Sequence, residues 1–207
     1  MKVFLLNGSP KKNGATFTAL NEVAQQLEKN GIETVWHHLG TRAVHGCIAC
    51  RKCFETGYCV FDDDGANECV DLLKQSDGFV VGTPVYYAGP NGALCALLDR
   101  IFYAKSSAYA FKPAAAIVNC RRGGASASFD RLNKYFTISR MPVVASQYWN
   151  STHGFTPDDV SKDLEGLQTM RTLANNMTWL LKCIEYAKGT VPYPQIEQAV
   201  MTNFISD

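Results

Sequence analysis

The chain has 207 residues, 46% of them hydrophobic and 19% charged, with a formal net charge of +1. Such a length and composition fit one domain, residues 1–207, with a full core. The near-neutral charge excludes the basic footprint of a nucleic-acid binder. No apolar run approaches the length of a membrane span, and the N-terminus enters a strand with no signal-peptide pattern, so a cytoplasmic location is expected.

Val3-Phe4-Leu5-Leu6 reads as a buried strand. It passes through Asn7-Gly8-Ser9-Pro10-Lys11-Lys12-Asn13-Gly14 into a helical pattern that starts at Ala15-Thr16. A strand feeding a helix through such a loop gathers backbone N–H groups, the positive end of a helix dipole, two hydroxyls and two lysines. That is a phosphate seat. Neither the triphosphate loop G-x-x-x-x-G-K-[ST] nor the dinucleotide fingerprint G-x-G-x-x-G is present. The readings left open are a terminal monophosphate held by the loop and an ordinary strand-to-helix turn.

Helical spacing continues to Asn30, and Gly31 stops it. Glu33 to Leu39 reads as a second strand, with His37 and His38 on opposite faces. Residues 40–65 break the rhythm as an insertion that ends in Asp62-Asp63-Asp64-Gly65, acids expected to cap the helix Ala66 to Lys74. Phe79-Val80-Val81 is a third, central strand. Its exit loop, Gly82 to Gly92, carries Pro84, Val85, Tyr86, Tyr87 and Asn91 and suits a flat heterocycle. The helix Ala93 to Phe102 contains Asp99-Arg100, read as a surface or interface ion pair. Ala114 to Asn119 is the fourth strand, with the glycine-rich exit Cys120-Arg121-Arg122-Gly123-Gly124. A helix Ser128 to Ser139 and a fifth strand, Pro142 to Ala145, follow. The next exit, Gln147 to Gly154, is polar and aromatic. Thr156-Pro157 then starts a helix running to about Lys188. The segment 157–207 ends in a proline-containing tail placed against the body or a partner subunit.

Five strands alternating with helices predict an α/β three-layer sandwich with a parallel sheet in the order 2-1-3-4-5. In that order the first and third strands flank the switch point, so the phosphate loop and the Tyr86-Tyr87 loop meet there.

Four of the eight cysteines, Cys47, Cys50, Cys53 and Cys59, crowd into thirteen residues. A reducing cytosol argues against disulfides. Four thiolates suit a [4Fe–4S] cluster or tetrahedral zinc. Three at successive x-x intervals lean toward iron–sulfur, while Arg51 and Lys52 leave room for plain reactive thiols of lowered pKa. The remaining four cysteines read as small core hydrophobes.

Gly8-Ser9-Pro10 with Gly14-Ala15-Thr16, then Thr83-Pro84-Val85-Tyr86-Tyr87, then Leu98-Asp99-Arg100 resemble the NADPH-dependent FMN reductase group of flavodoxin-like proteins. The spacing from Cys47 to Cys59 resembles its iron–sulfur flavoprotein branch. The resemblance covers roughly residues 1–155. It implies an FMN phosphate on Ser9, Lys11, Asn13, Gly14, Ala15 and Thr16, and an isoalloxazine on Pro84, Val85, Tyr86, Tyr87 and Asn91. The loop containing Arg122, Gly123 and Gly124 would lie near the ring edge, and Trp149, Asn150 and His153 within reach of a flavin. It also implies a homodimer or homotetramer, with a flavin site near an interface.

The leading expectation is an FMN-dependent oxidoreductase. It would be reduced by NAD(P)H and pass electrons to flavin, quinone or another small-molecule acceptor. Catalysis would lie with the flavin, since no protein nucleophile stands out. The alternative is an electron carrier with a [4Fe–4S] cluster at Cys47, Cys50, Cys53 and Cys59 and a ferredoxin-like partner. A cluster near the surface is lost in air, so it can be absent beside an intact flavin.

Overall fold

A computed structural model describes residues 1–198, 200 and 202. The elements are β1 (Lys2–Asn7), α1 (Ala15–Lys29), β2 (Glu33–His38), α2 (Cys53–Thr56), α3 (Ala66–Gln75), β3 (Gly78–Tyr86) and β4 (Gly89–Pro90). There follow α4 (Gly92–Lys105), a 3-10 turn at Ser106–Tyr109, β5 (Ala114–Cys120), α5 (Ala125–Ile138), β6 (Ser151–His153), α6 (Pro157–Lys162) and α7 (Leu164–Ala187). The sheet runs β2-β1-β3-β5-β6, with every neighbour along this path parallel and β4 turned back on β3. The five parallel strands thus stand in the predicted order 2-1-3-4-5, which is the flavodoxin-like order.

The sheet is buried on both faces, and strand alternation sorts its side chains into two cores. Val3, Leu5 and Val80 pack with α1 and α7 residues such as Leu20, Val23, Met170 and Leu173. Phe4, Leu6, Phe79 and Val81 pack with α3, α4 and α5 residues such as Val70, Leu73, Leu98 and Phe136. Phe4 and Phe79 stack at 5.3 Å, and Phe136 meets Phe79 edge-on at 5.9 Å, so aromatic packing anchors the second core.

Four sequence expectations are corrected. The third strand does not end at Val81: Thr83 and Pro84 stay in register with Val118 and Asn119, and β3 runs on to Tyr86. The fifth strand is not Pro142 to Ala145. Val143 makes only a bridge to Ala114, and the strand paired with Val118 to Cys120 is Ser151–His153. An edge strand pairs on one side only, so this one tolerates the detour through residues 145–150. Asn150 is buried and holds the detour closed, its amide donating to the Val144 carbonyl at 3.4 Å. The helix at Ser128 starts earlier, at Ala125. The last helix is two helices. Asp163 separates them and caps α7, its carboxylate accepting from the N–H of Gly166 at 2.9 Å and of His153 at 2.6 Å. At the start of α6 the predicted cap is present as a full capping box between Thr156 and Asp159.

The tail reaches the body where Tyr193 stacks on Phe111 at 5.0 Å. Its residues 199, 201 and 203–207 lie outside the described residues. Among the described residues no helix is long and apolar enough to cross a membrane.

Candidate functional site: a cavity at the switch point and a four-cysteine cavity

The phosphate loop is organised by a residue the sequence reading passed over. Asn7 closes β1 and is fully buried. Its side-chain oxygen accepts from the Ser9 N–H at 3.1 Å, and its amide donates to the Lys12 carbonyl at 3.1 Å. Ser9 Oγ in turn accepts from the Lys11 N–H at 3.1 Å. Gly8 follows because no side chain fits: a Cβ there would lie 2.8 Å from the Gly82 carbonyl, which the Gly8 N–H already contacts at 2.8 Å. The loop delivers the chain to Gly14, which N-caps α1 with extended backbone and no side-chain bond, and no acid stands in the first turn. The first-turn N–H groups therefore keep their partial positive charge for an anion.

A cavity of about 300 Å³ opens there, at the lower end of the size range for small-molecule sites. Ser9, Lys11, Gly14, Ala15 and Thr16 form one wall, and Pro84, Val85 and Tyr86 at the end of β3 form a second. Asn119, Cys120 and Arg121 after β5, with Gly154 and Phe155 after β6, complete it. An uncapped helix start at one end and an aromatic-edged slot at the other match a phosphate bearing a flat ring. The residues present fit FMN.

Six of the predicted site residues stand outside this wall. Asn13, Arg122 and Gly123 are exposed, and Arg121 takes the lining position expected of Arg122. Tyr87 is fully exposed at the tip of the β3–β4 hairpin. Tyr87 and Ala88, with φ of 49° and 59°, form its two-residue turn, a left-handed geometry that non-glycine residues adopt at a cost. Gly124 supports that turn from behind, where a Cβ would lie 2.6 Å from Ala88 Cα. Asn91 is buried and N-caps α4. Its side chain accepts from the Ala93 N–H at 3.1 Å and donates to the Gly8 carbonyl at 2.8 Å. Of the aromatic exit residues, Trp149 is exposed against Tyr148, Asn150 is buried in the detour, and His153 faces Asp163. None of the three lines the cavity.

The second site lies in the insertion. Ala49 and Arg51, with φ of 55° and 60°, flank Cys50 in the left-handed region; α2 then carries Cys53, and Gly57 turns the chain back. The backbone coils so that Cys47, Cys50, Cys53 and Cys59 line one cavity of about 110 Å³ together with Phe61, Arg100 and Tyr103. Asn67 of α3 clamps Cys59, accepting from its N–H at 2.8 Å and donating to its carbonyl at 3.0 Å. Burial, followed by the neighbouring Cys47, Cys50 and Cys59, pushes the Cys53 thiol above its ordinary value, outweighing the lowering effect of its backbone bond. The expectation of a lowered pKa is therefore corrected for Cys53: Arg51 and Lys52 are exposed to water, which screens them.

Arg100 is not half of a surface pair with Asp99. It is 2% exposed and pairs with the equally buried Asp64. Asp99 instead meets Arg131 and Tyr135. Burial pushes the Asp64 carboxyl up, but the bond from Arg100 and the N–H of His45 reverse this and hold it below the usual carboxylate value. The acidic turn caps α3 only through Asp64, whose second oxygen accepts from the Ala66 N–H at 3.3 Å, while Gly65 occupies the cap position.

Among the described residues, the trio of ligand atoms all within 4.8 Å of one another is His45, Asp63 and Asp64. Within it Asp64 is already paired with Arg100, and Asp63 faces the His45 ring at 3.3 Å. No three cysteine sulfurs approach so closely. Tetrahedral zinc, with bonds of about 2.3 Å, would hold its sulfurs about 3.8 Å apart. Around one cavity, the four thiols suit a [4Fe–4S] cluster, or a single tetrahedral ion if they close in on it.

The fold and these two cavities define a flavodoxin-like α/β protein with one cavity at its switch point and a second lined by four cysteines. Residues 1–156 match the family described as NADPH-dependent FMN reductase, and the chain belongs to that family of flavin-dependent oxidoreductases. It is 30% identical over 196 residues to an iron-sulfur flavoprotein of Methanocaldococcus jannaschii, covering 89% of this chain and 100% of the relative. It is 27% identical over 191 residues to an iron-sulfur flavoprotein of Methanosarcina thermophila, covering 89% of this chain and 97% of the relative. A solved structure of RosB with bound 8-demethyl-8-formylriboflavin-5'-phosphate superposes with a TM-score of 0.72 at 13% identity, covering 100% of this chain and 92% of RosB.

Proposed function

We propose that this chain is an iron–sulfur flavoprotein that carries electrons between FMN and an external redox partner of the ferredoxin type. The observation that supports this reading best is the convergence of Cys47, Cys50, Cys53 and Cys59 on one cavity. The naming of two relatives that span nearly the whole chain points the same way.

In this reading the first turn of α1, with Ser9 and Thr16, holds the flavin phosphate, and Pro84, Val85 and Tyr86 hold the ring. Lys11 and Arg121 stand at the mouth as cations for the phosphate. Once bound, FMN couples two-electron to one-electron transfer, and a [4Fe–4S] cluster supplies single-electron steps. The protein's own share is positional. The buried Asn7 and Asn91 keep the loop amides aimed, and α4 ties the two sites together. It is capped beside the phosphate loop by Asn91, and Arg100 lies about 13 Å further along its axis. A second reading, direct reduction by NAD(P)H with delivery to flavin, quinone or another small acceptor, is favoured by the family match.

The test is purification without oxygen. The visible spectrum, the cofactor released by heat, and iron and acid-labile sulfide are then measured. FMN with about four iron and four sulfide per chain supports the proposal, whereas zinc in place of iron, or no flavin, overturns it. Stopped-flow mixing separates the two readings. Rapid bleaching by NAD(P)H supports the reductase; bleaching only by a reduced ferredoxin supports the carrier. We further propose a homodimer or homotetramer, motivated by the exposed Tyr148–Trp149 pair. A monomer mass in light scattering overturns that.

A further inference from the structure

We propose that Arg100 is a positioning residue of the cysteine site that raises its reduction potential. This rests on the cluster reading above. Every branch of the guanidinium is bonded to the insertion. Nε donates to Cys59 Sγ at 3.0 Å, Nη1 to the His45 carbonyl at 3.2 Å and to the Asp64 carboxylate, and Nη2 to the Phe61 carbonyl at 2.8 Å. The group also lies 5.5 Å from the centre of the Phe61 ring.

The fork is planar and rigid. With both Nη atoms pinned, the direction of Nε is no longer free, and it is aimed at a ligand sulfur. A lysine could satisfy the charge of Asp64 but has no second arm to reach Cys59. Arg100 is buried, so water does not weaken this N–H···S contact. Each electron added to a cluster places negative charge on its ligand sulfurs. A fixed donor and cation at one of them stabilises the reduced state and moves the potential upward. Asp64 partly offsets that cation from the far side of the fork, so the two residues have opposite signs in their effect.

This opposition separates tuning from simple support of the loop. Wild type, Arg100→Lys, Arg100→Gln and Asp64→Asn are reconstituted anaerobically with iron and sulfide. Metal content is assayed, and the cluster midpoint is read by redox titration followed by electron paramagnetic resonance. The expected result is a midpoint more negative in both Arg100 variants and more positive in Asp64→Asn. Unchanged midpoints in Arg100 variants that load iron overturn the proposal. So do shifts of the same sign in the Arg100 and Asp64 variants, the pattern expected of a loosened loop. If the Arg100 variants do not load, Asp64→Asn decides: a positive shift supports tuning, and an unchanged or negative one overturns it. A wild-type chain that takes up no iron overturns the cluster reading itself, which the variants alone cannot do.

Discussion

The side-chain amide of Asn91 donates to the backbone carbonyl of Gly8 across 2.8 Å, joining the loop after β1 to the start of α4. The same residue receives the Ala93 N–H as the α4 cap, and its own N–H reaches Thr83 Oγ1 at 3.0 Å. Two loops at the switch point, 83 residues apart in sequence, are thereby held as one surface.

Asn91→Ala removes a helix cap and leaves a buried carbonyl without a partner. The expected loss is roughly 2–4 kcal/mol of stability, together with weaker FMN binding because the phosphate loop loosens. Chemical denaturation and a flavin fluorescence titration measure the two effects. Stability within 0.5 kcal/mol of wild type, on the order of an ordinary surface substitution, would show that Asn91 is not the tie.

Gly14→Asp separates anion binding from helix stability. A carboxylate at the cap position of α1 satisfies first-turn N–H groups, which offsets the shift its Cβ, 3.0 Å from Lys11 Cβ, forces on the exposed Lys11, so the apo protein should stay within about 1 kcal/mol of wild type. The same carboxylate occupies the seat proposed for the phosphate, so FMN affinity should fall by about tenfold or more. An apo protein as stable as wild type that still binds FMN with wild-type affinity would move the phosphate elsewhere.

Gly124→Ala tests the support of the hairpin. Its φ is +90°, and a Cβ would meet Ala88 Cα at 2.6 Å and Val85 at 2.8 Å. Both contacts belong to the β3–β4 turn, which must shift. The expected cost is about 1–3 kcal/mol, read as a lowered Tm, with an altered flavin spectrum if the Val85 wall moves. An unchanged Tm would mean that the turn yields freely.

His38 gives a pH dependence with a definite sign. Burial first, then Lys12 and His37, lower its pKa from the ordinary 6.5. Its Nδ1 lies 3.3 Å from the Asn7 amide and accepts from it only when deprotonated. As pH falls below 6.5, the unfolded chain takes up a proton that the folded chain refuses, so stability drops from about pH 6.5 down to the folded value. Urea denaturation between pH 5 and 8, in wild type and His38→Gln, should show a shallower acid-side slope in the variant. Equal slopes would remove His38 from the linkage.

The unbroken apolar runs at residues 3–6, 79–81 and 114–118 are wholly buried strands, because only a strand covered on both faces can carry such a run. Glycine and proline punctuation placed α1, α3 and the α6 cap almost to the residue. Ser9, Gly14, Ala15 and Thr16 were legible because a helix start is local, and strand order followed because βα connections allow few alternatives. The cysteine spacing likewise pointed to four thiols around one cavity.

Tertiary structure alone decided what depends on partners far apart in sequence. Arg100 looked paired with its neighbour Asp99, yet consecutive helix residues point apart, and its partners are Cys59, Phe61 and Asp64. Asn91, expected beside a ring, has its side chain engaged with the Gly8 carbonyl and the start of α4. Pro142 to Ala145 has strand composition, yet the position beside Val118 to Cys120 belongs to the polar Ser151–His153. Edge pairing is set by backbone reach and by the buried Asn150 that closes the detour, and neither leaves a local pattern in the chain.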